Sequence, residues 1–279
     1  MPDVPDALPT SDPEPAFLAR PGGRLSYVDE GPRDAPAFFA LHGIPGSVRD
    51  FRYLAPPLTG AVRLVRVDLP GFGGSVADEA ATRSFEGRAR AVLELADHLG
   101  LDRFGVIGHS MGGGSAMTLA VRERTRVSHL VLLASVGLAR HRGLGASPLA
   151  FRLMGRAIAL PLLGPRLLER ARSAYRRRRF PGADQMTARD FSVHLRSIGA
   201  VDFRALRRAV AAGFPPTLLA WSRDDHLLEP ALCEELARGI PGARTLVYTD
   251  AGHNLQKTRA PELAAAILAF VASREPTGS

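Results

Sequence analysis

Residues 104–114 read FGVIGHSMGGG. The apolar run at the start is typical of a parallel strand that is buried on both faces, and the small residues at the end lead into a helical pattern. The Gly-x-Ser-x-Gly motif between them predicts a sharp turn with Ser110 at its apex, because side chains at Gly108 and Gly112 would collide across so tight a corner. The stretch therefore predicts a serine hydroxyl that projects from the top of a sheet, beside the positive end of a helix.

Strand-like runs alternate with helical patterns on both sides of this turn. We predict strands at Phe17–Arg20, Arg24–Val28, Ala37–Leu41, Val62–Val67, Phe104–Ile107, Leu130–Ala134, Thr217–Trp221 and Thr245–Tyr248. Helical periodicity is present around Arg49–Leu58, over Ser84–Leu99, from Ser110 to about Arg122, and over Pro230–Arg238 and Pro261–Ser273. This alternation predicts an α/β fold with a mostly parallel, doubly wound sheet that carries helices on both faces.

The alternation stops over residues 137–215, where helical patterns dominate. We therefore predict a helical cap at 137–215, inserted after the sixth strand of a core formed by residues 16–136 and 216–273. The Pro- and Asp-rich residues 1–15 predict a disordered tail, and residues 274–279 predict a frayed one.

Charge is distributed unevenly along a chain whose formal net charge is +8. Residues 136–216 contain 16 arginines and four carboxylates. Such a basic block is either a solvated surface, an attractor of anionic acyl groups, or a weak contact with an anionic membrane surface. Aromatic residues are few around the Arg176–Arg179 run, so we do not expect nucleic-acid binding.

Cysteine use and hydropathy bear on the compartment. Cys233 is the single cysteine, which excludes an internal disulfide and agrees with a reducing cytoplasm. No apolar run approaches the ~20 residues of a membrane span, and residues 1–15 lack a basic-then-apolar signal pattern. We therefore expect a cytoplasmic protein.

The serine needs a base, and the base needs an orienting carboxylate, because a serine hydroxyl is a poor nucleophile near neutral pH. Ligand sites in open parallel sheets lie just beyond the carboxyl ends of the strands. Two predicted strands are followed there by polar segments, SRDDH at 222–226 and TDAGHN at 249–254. We predict His253 as the base and Asp225 as its carboxylate, with Asp224 and Asp250 as alternatives.

The order Ser110, Asp225, His253 and the helical insertion resemble the α/β-hydrolase family over nearly the whole chain, from about residue 17 to 272. The resemblance implies that the His-Gly-x-Pro motif at 42–45 contributes an oxyanion-hole N–H at Ile44, paired with the N–H of Met111. It also implies a pocket wall at 68–75, a supporting role for His42, and the carboxylate at Asp225 rather than Asp224. Ser222 and Glu229 depart from the family pattern, which commonly has Gly and Pro there.

Family members with His-Gly-x-Pro include haloalkane dehalogenases and epoxide hydrolases, which attack with an aspartate at this turn. Ser110 favours acyl transfer instead, so the resemblance implies a serine hydrolase of the carboxylesterase type acting on a small acyl substrate, hydrophobic or anionic. The alternatives are a thioesterase, a lactonase, a carbon–carbon bond hydrolase, a perhydrolase, and a non-catalytic binding protein of the same fold.

No cofactor and no metal are expected, because the remaining histidines lack ligand spacing. Among the histidines near the motifs, we interpret His109 as structural. For His226, lining the pocket and capping a helix remain equal alternatives.

Overall fold

The computed structural model describes residues 12–77, 84–141, 146–177, 180 and 183–273, and one sheet organises them. Its strands are β1 (Ala16–Arg20), β2 (Gly23–Glu30), β3 (Ala37–Leu41), β4 (Arg63–Val67), β5 (Phe104–His109), β6 (Val127–Leu133), β7 (Thr217–Ser222) and β8 (Arg244–Tyr248). They lie in the order β1-β2-β4-β3-β5-β6-β7-β8. The β1–β2 and β2–β4 pairings are antiparallel, and the pairings from β4 to β8 are all parallel. The predicted mostly parallel sheet is thus confirmed.

Helices cover both faces of the sheet. They are α1 (Ala55–Leu58), α2 (Phe85–His98), α3 (Met111–Arg122), α4 (Pro148–Ile158), α5 (Gly164–Arg177), α6 (Ala188–Ile198), α7 (Phe203–Ala212), α8 (Pro230–Gly239), α9 (Leu255–Thr258) and α10 (Ala260–Ala272). One apolar core joins the sheet to α2, α3, α7 and α8, and a second joins its other face to α1, α9 and α10. Among the described residues, no helix combines the length and apolar character that a membrane crossing requires.

The central strands are apolar because both of their faces are covered. Every residue of β3, β5 and β7 is buried. Strand β4 also carries two buried arginines, and each has a carboxylate partner, as a buried charge requires. Arg63 donates to Asp29, and Arg66 donates to Glu30 at 2.7 Å.

Helices α4, α5 and α6 form a cap between β6 and β7. They enclose a small apolar core of their own, formed by Ile158, Met186, Phe191 and Leu195. Helix α7 instead packs beside α3, and its Leu206 side chain joins the main core. The predicted insertion after the sixth strand is confirmed, and the predicted range 137–215 encloses both the cap and this returning helix.

The helical pattern around Arg49–Leu58 is split. A 3-10 turn covers Val48–Phe51, and α1 begins only at Ala55. Pro56 and Pro57 explain the break, because prolines lack the N–H that a continuous helix would need and fit only in its first turn.

Most of both predicted tails, residues 1–11 and 274–279, lies outside the described residues. Asp12, from the end of the first tail, is described and contacts the core. Its carboxylate lies 2.8 Å from Arg49 and 2.9 Å from Arg66.

Candidate active site

Ser110 occupies the turn between β5 and α3. Its backbone has φ 53° and ψ −121°, a conformation that residues with a side chain rarely adopt. The turn is held from both sides: the Ser110 N–H donates to the carbonyl of Leu133 at 2.9 Å, and the Val136 N–H donates to the carbonyl of Ser110 at 3.0 Å. Strands β5 and β6 therefore fix this strained residue at the carboxyl edge of the sheet.

The glycines around Ser110 are required by close approach. A Cβ at Gly108 would lie 2.7 Å from the Cα of Gly113, and one at Gly112 would lie 2.2 Å from the carbonyl oxygen of Leu41. The latter contact is with the backbone of a central strand, which cannot move aside. The steric reason predicted for the two glycines is confirmed.

We expect Gly112→Ala to lower the free energy of unfolding by about 2–4 kcal/mol, because the new methyl group would displace the backbone of β3 or the turn. Urea unfolding measures the change. Gly60→Ala is the matched control: nothing lies within 4 Å of a Cβ there, so it should shift stability by about 0.5 kcal/mol or less. Equal stability of the two variants would contradict the described turn.

The three predicted triad side chains converge at this edge of the sheet. His253 follows β8, and its Nε2 lies 3.0 Å from Ser110 Oγ. Its Nδ1 lies 2.7 Å from Oδ2 of Asp225, which follows β7. The contacts fit a neutral ring that donates from Nδ1 to the carboxylate and accepts at Nε2 from the serine hydroxyl.

Asp225 is kept ionised by its neighbours. Its other carboxylate oxygen accepts from the N–H groups of Leu227 at 2.8 Å and Leu228 at 2.9 Å. Burial by itself raises the pKa of Asp225, but the His253 ring and these two N–H groups together lower it by more, so the pKa lies below its ordinary value. A negative charge is therefore held against the Nδ1 side of the histidine.

The two alternative carboxylates point elsewhere. Asp224 accepts from the Ser222 hydroxyl and from the Gly252 N–H at 2.8 Å, so it ties the loop after β7 to the loop that carries His253. Asp250 pairs with Arg259 at 2.6 Å. Ser222, one of the departures from the family pattern, thus takes part in the same loop connection.

Two buried histidines hold the loops of the site. His109 Nε2–H donates to the backbone carbonyl of His253 at 2.9 Å, and burial lowers the pKa of His109 to about 3. His42 donates to the Gly43 carbonyl and accepts from the Leu69 N–H at 2.9 Å, with its pKa lowered by burial to about 4. Both rings are therefore neutral near pH 7, in agreement with the structural roles interpreted from the sequence.

The loops at 42–47 and 68–75 are joined through a carboxylate that the sequence reasoning missed. Asp68 accepts from the Val48 N–H at 2.7 Å and from the Gly74 N–H at 2.8 Å. Ile44 and Met111, the two predicted oxyanion-hole residues, line the same cavity as Ser110. Met111 is the first residue of α3, where a backbone N–H has no partner within the helix.

A cavity of about 1790 Å³ lies between the core and the cap above Ser110. Phe72 and Gly73 contribute to its wall from the 68–75 loop, as the resemblance implied, and His226 lines it as well. The N-cap residue of α8 is Glu229, so the alternative in which His226 caps that helix is not observed.

The cap contributes a polar pair that the sequence analysis did not identify. His194 of α6 is 3% exposed, and its Nε2 lies 2.8 Å from the hydroxyl of Tyr175 on α5. Burial lowers the pKa of His194 to about 3, although the backbone of Ile44 raises it. Both side chains line the cavity. No spacing rule would have found them, because the contact joins residues on two separate cap helices.

One side of the cavity carries positive charge around an aromatic ring. The Arg52 guanidinium lies 4.5 Å and the Lys257 ammonium 5.4 Å from the centroid of the Tyr53 ring. Neither cation has an ion-pair partner among the described residues, and all three side chains line the cavity. Lys257 is the single lysine in a chain that otherwise uses arginine for its basic side chains.

Comparison with known proteins gives matches along most of the chain. The model of the family described as "alpha/beta hydrolase fold" matches residues 36–260. The magnesium-chelatase 30 kDa subunit of Rhodobacter capsulatus is 28% identical over 284 residues, covering 95% of this chain and 98% of that protein. Haloalkane dehalogenase 2 of Mycobacterium tuberculosis is 27% identical over 263 residues, covering 88% and 91%.

Among solved structures, the enol-lactonase of Burkholderia xenovorans LB400 has a TM-score of 0.73 at 23% identity, covering 92% of this chain and 100% of that one. At this identity the likeness concerns the fold alone.

Proposed function

The chain belongs to the alpha/beta hydrolase fold family, and on this premise we propose that it is a serine hydrolase that cleaves a carboxylic ester or a related acyl bond. One observation carries the proposal: Ser110, His253 and Asp225 form an unbroken hydrogen-bonded chain that opens into a cavity. This arrangement activates a serine for attack on a carbonyl.

In the proposed first step, His253 Nε2 takes the Ser110 proton while the serine oxygen bonds to the carbonyl carbon. The N–H groups of Ile44 and Met111 stabilise the negative oxygen that develops. His253 then gives its proton to the leaving alkoxide as the carbon–oxygen bond breaks, which leaves an acyl-enzyme on Ser110. Water deprotonated by His253 attacks this ester, and the released serine oxygen regains a proton.

The serine also separates this proposal from the reaction named for one relative, haloalkane dehalogenase 2. A carboxylate that displaces a halide forms an ester, which water can cleave. A serine oxygen that displaced a halide would form an alkyl ether, which the same histidine and water could not hydrolyse. Ser110 therefore supports acyl rather than alkyl transfer.

Thioesters, lactones, carbon–carbon bonds next to a carbonyl, and peracid formation use the same serine, histidine and oxyanion donors. They remain alternatives within the proposal, as does a non-catalytic binding protein of this fold. A fluorophosphonate probe that reacts covalently with the wild-type protein would support the serine hydrolase, and failure to label would favour the binding protein.

The reaction class and the depth of the cavity are tested together with p-nitrophenyl esters of increasing acyl length. We expect hydrolysis with a preference for one range of chain lengths, because a cavity of about 1790 Å³ holds more than an acetyl group. No hydrolysis of any ester in the series, with intact fluorophosphonate labelling, would direct attention to the other acyl bonds.

We further propose that Arg52 and Lys257 select substrates with a negatively charged group. Each of Arg52→Gln and Lys257→Met should raise KM for the half-ester p-nitrophenyl glutarate about fivefold, because one unpaired charge is lost. Neutral p-nitrophenyl butyrate should be hydrolysed with an almost unchanged KM. Steady-state kinetics on both esters gives the comparison.

Arg49→Gln is the matched control for these two variants. Arg49 lines the same cavity, but its guanidinium is paired with Asp12 at 2.8 Å. Its loss should therefore affect the two esters alike. Equal effects of Arg52→Gln and Lys257→Met on the charged and neutral esters would contradict an anion-selecting site.

A further inference from the structure

Apolar side chains are exposed in one region of the cap. Nine large hydrophobic residues are exposed among those the structure describes, and six of them lie between residues 149 and 163: Leu149, Leu153, Met154, Leu160, Leu162 and Leu163. Leu162, at the turn between α4 and α5, is 90% exposed. Apolar patches of this kind mark a surface that another molecule covers.

These residues are not needed to close the cap. The inner faces of α4 and α5 pack through other side chains, among them Phe151, Ile158, Leu167 and Leu168. The exposed apolar residues lie on the outer side of α4 and in the turn that follows it. We call residues 149–163 the apolar tip.

Positive charge surrounds the apolar tip. Arg152 and Arg156 lie within it, and Arg166 and Arg170 follow on the first turns of α5. All four are exposed, and none has an ion-pair partner among the residues in the described ranges. Arg166, Arg170, Arg176 and Ser173 also line a shallow depression of about 430 Å³ together with Glu169. Such a depression suits a phosphate-bearing headgroup.

We propose that the apolar tip and its four arginines dock on an anionic lipid bilayer. An amphipathic helical surface with leucines on one side and arginines beside them lies in the interface between headgroups and acyl chains, where both kinds of side chain are satisfied. The pattern disfavours a second copy of the chain as the occupant. A symmetric contact through the same face would bring the arginines of both copies together, and like charges repel.

Docking is measured with the full-length protein and without turnover, so its failure leaves the proposed chemistry untouched. We expect sedimentation with vesicles of phosphatidylcholine and phosphatidylglycerol, and little with phosphatidylcholine alone. Raising the ionic strength from about 0.1 M to about 1 M should release the protein, because the Debye length falls from about 10 Å to about 3 Å.

Two variant sets separate the apolar and the charged contributions. Leu162→Ser should weaken binding at least tenfold, whereas Val247→Ser, at an exposed apolar position on the edge strand β8, should leave it unchanged. The triple change of Arg156, Arg166 and Arg170 to Gln should weaken binding about 100-fold, at about fivefold per arginine. Its control changes Arg90, Arg103 and Arg238, exposed on the core, to Gln and keeps the same net charge.

Cys233, the single cysteine, is buried, so Leu162→Cys can be labelled at one site with an environment-sensitive dye. The dye emission should shift to the blue when anionic vesicles are added. Three outcomes overturn the proposal: no binding to anionic vesicles, equal loss of binding in the patch and control triples, or a concentration-dependent dimer that Leu162→Ser abolishes. The last would identify a second copy as the occupant.

Discussion

Ser110→Ala is expected to lower kcat for ester hydrolysis by about 10⁴–10⁶-fold and to abolish covalent labelling by a fluorophosphonate. The methyl group retains the turn but removes the only oxygen that lies 3.0 Å from His253 Nε2. Stability should fall little, because the hydroxyl is not part of the backbone bonds to Leu133 and Val136 that hold the turn.

The matched comparison is His253→Ala, which removes the base and keeps the nucleophile. The double variant should be no slower than the worse single variant by more than a small factor, because the two residues act as one unit. Burst-phase and steady-state kinetics give the three rates. Retention of most ester hydrolysis by Ser110→Ala would show that the attack takes place at another group.

Asp225→Asn is the second large change. We expect kcat to fall by about 10⁴-fold, because an amide at this position no longer stabilises the positive ring and can force the wrong tautomer on His253. The contact at stake is the 2.7 Å hydrogen bond from Nδ1. The N–H groups of Leu227 and Leu228 can still donate to the amide oxygen, so the loop should keep its shape.

Asp224→Asn is the adjacent control. Its amide oxygen can still accept from the Ser222 hydroxyl and the Gly252 N–H, so we expect kcat to fall by about tenfold or less. Steady-state kinetics on one ester, with circular dichroism to compare the folds, distinguishes the two. A larger loss in Asp224→Asn than in Asp225→Asn would reverse the proposed assignment of the carboxylate.

The sheet could be predicted because its central strands are short apolar runs between turn signals. The predicted bounds of Ala37–Leu41 coincide with β3, since all five residues are buried and a turn follows at once. The pattern was less informative at Arg49–Leu58, where buried side chains recur at helical spacing but Pro56 and Pro57 break the helix.

The triad residues could be located for a related reason: each follows a strand, and parallel strands end at one edge. The contacts that support them were harder to find. Tyr175 and His194 meet only because two cap helices pack together, and the tether from Asp68 to Val48 joins two loops that are distant in sequence. Such pairings depend on the tertiary structure and leave no periodic signal.

Helix α7 returns to the core and packs beside α3, so the three cap helices between residues 148 and 198 form a module that is attached to a complete sheet. Reactivity and molecular recognition are thereby encoded by separate parts of the chain. A lineage, or a protein engineer, can exchange this module for another and obtain a new substrate range while inheriting the same reaction.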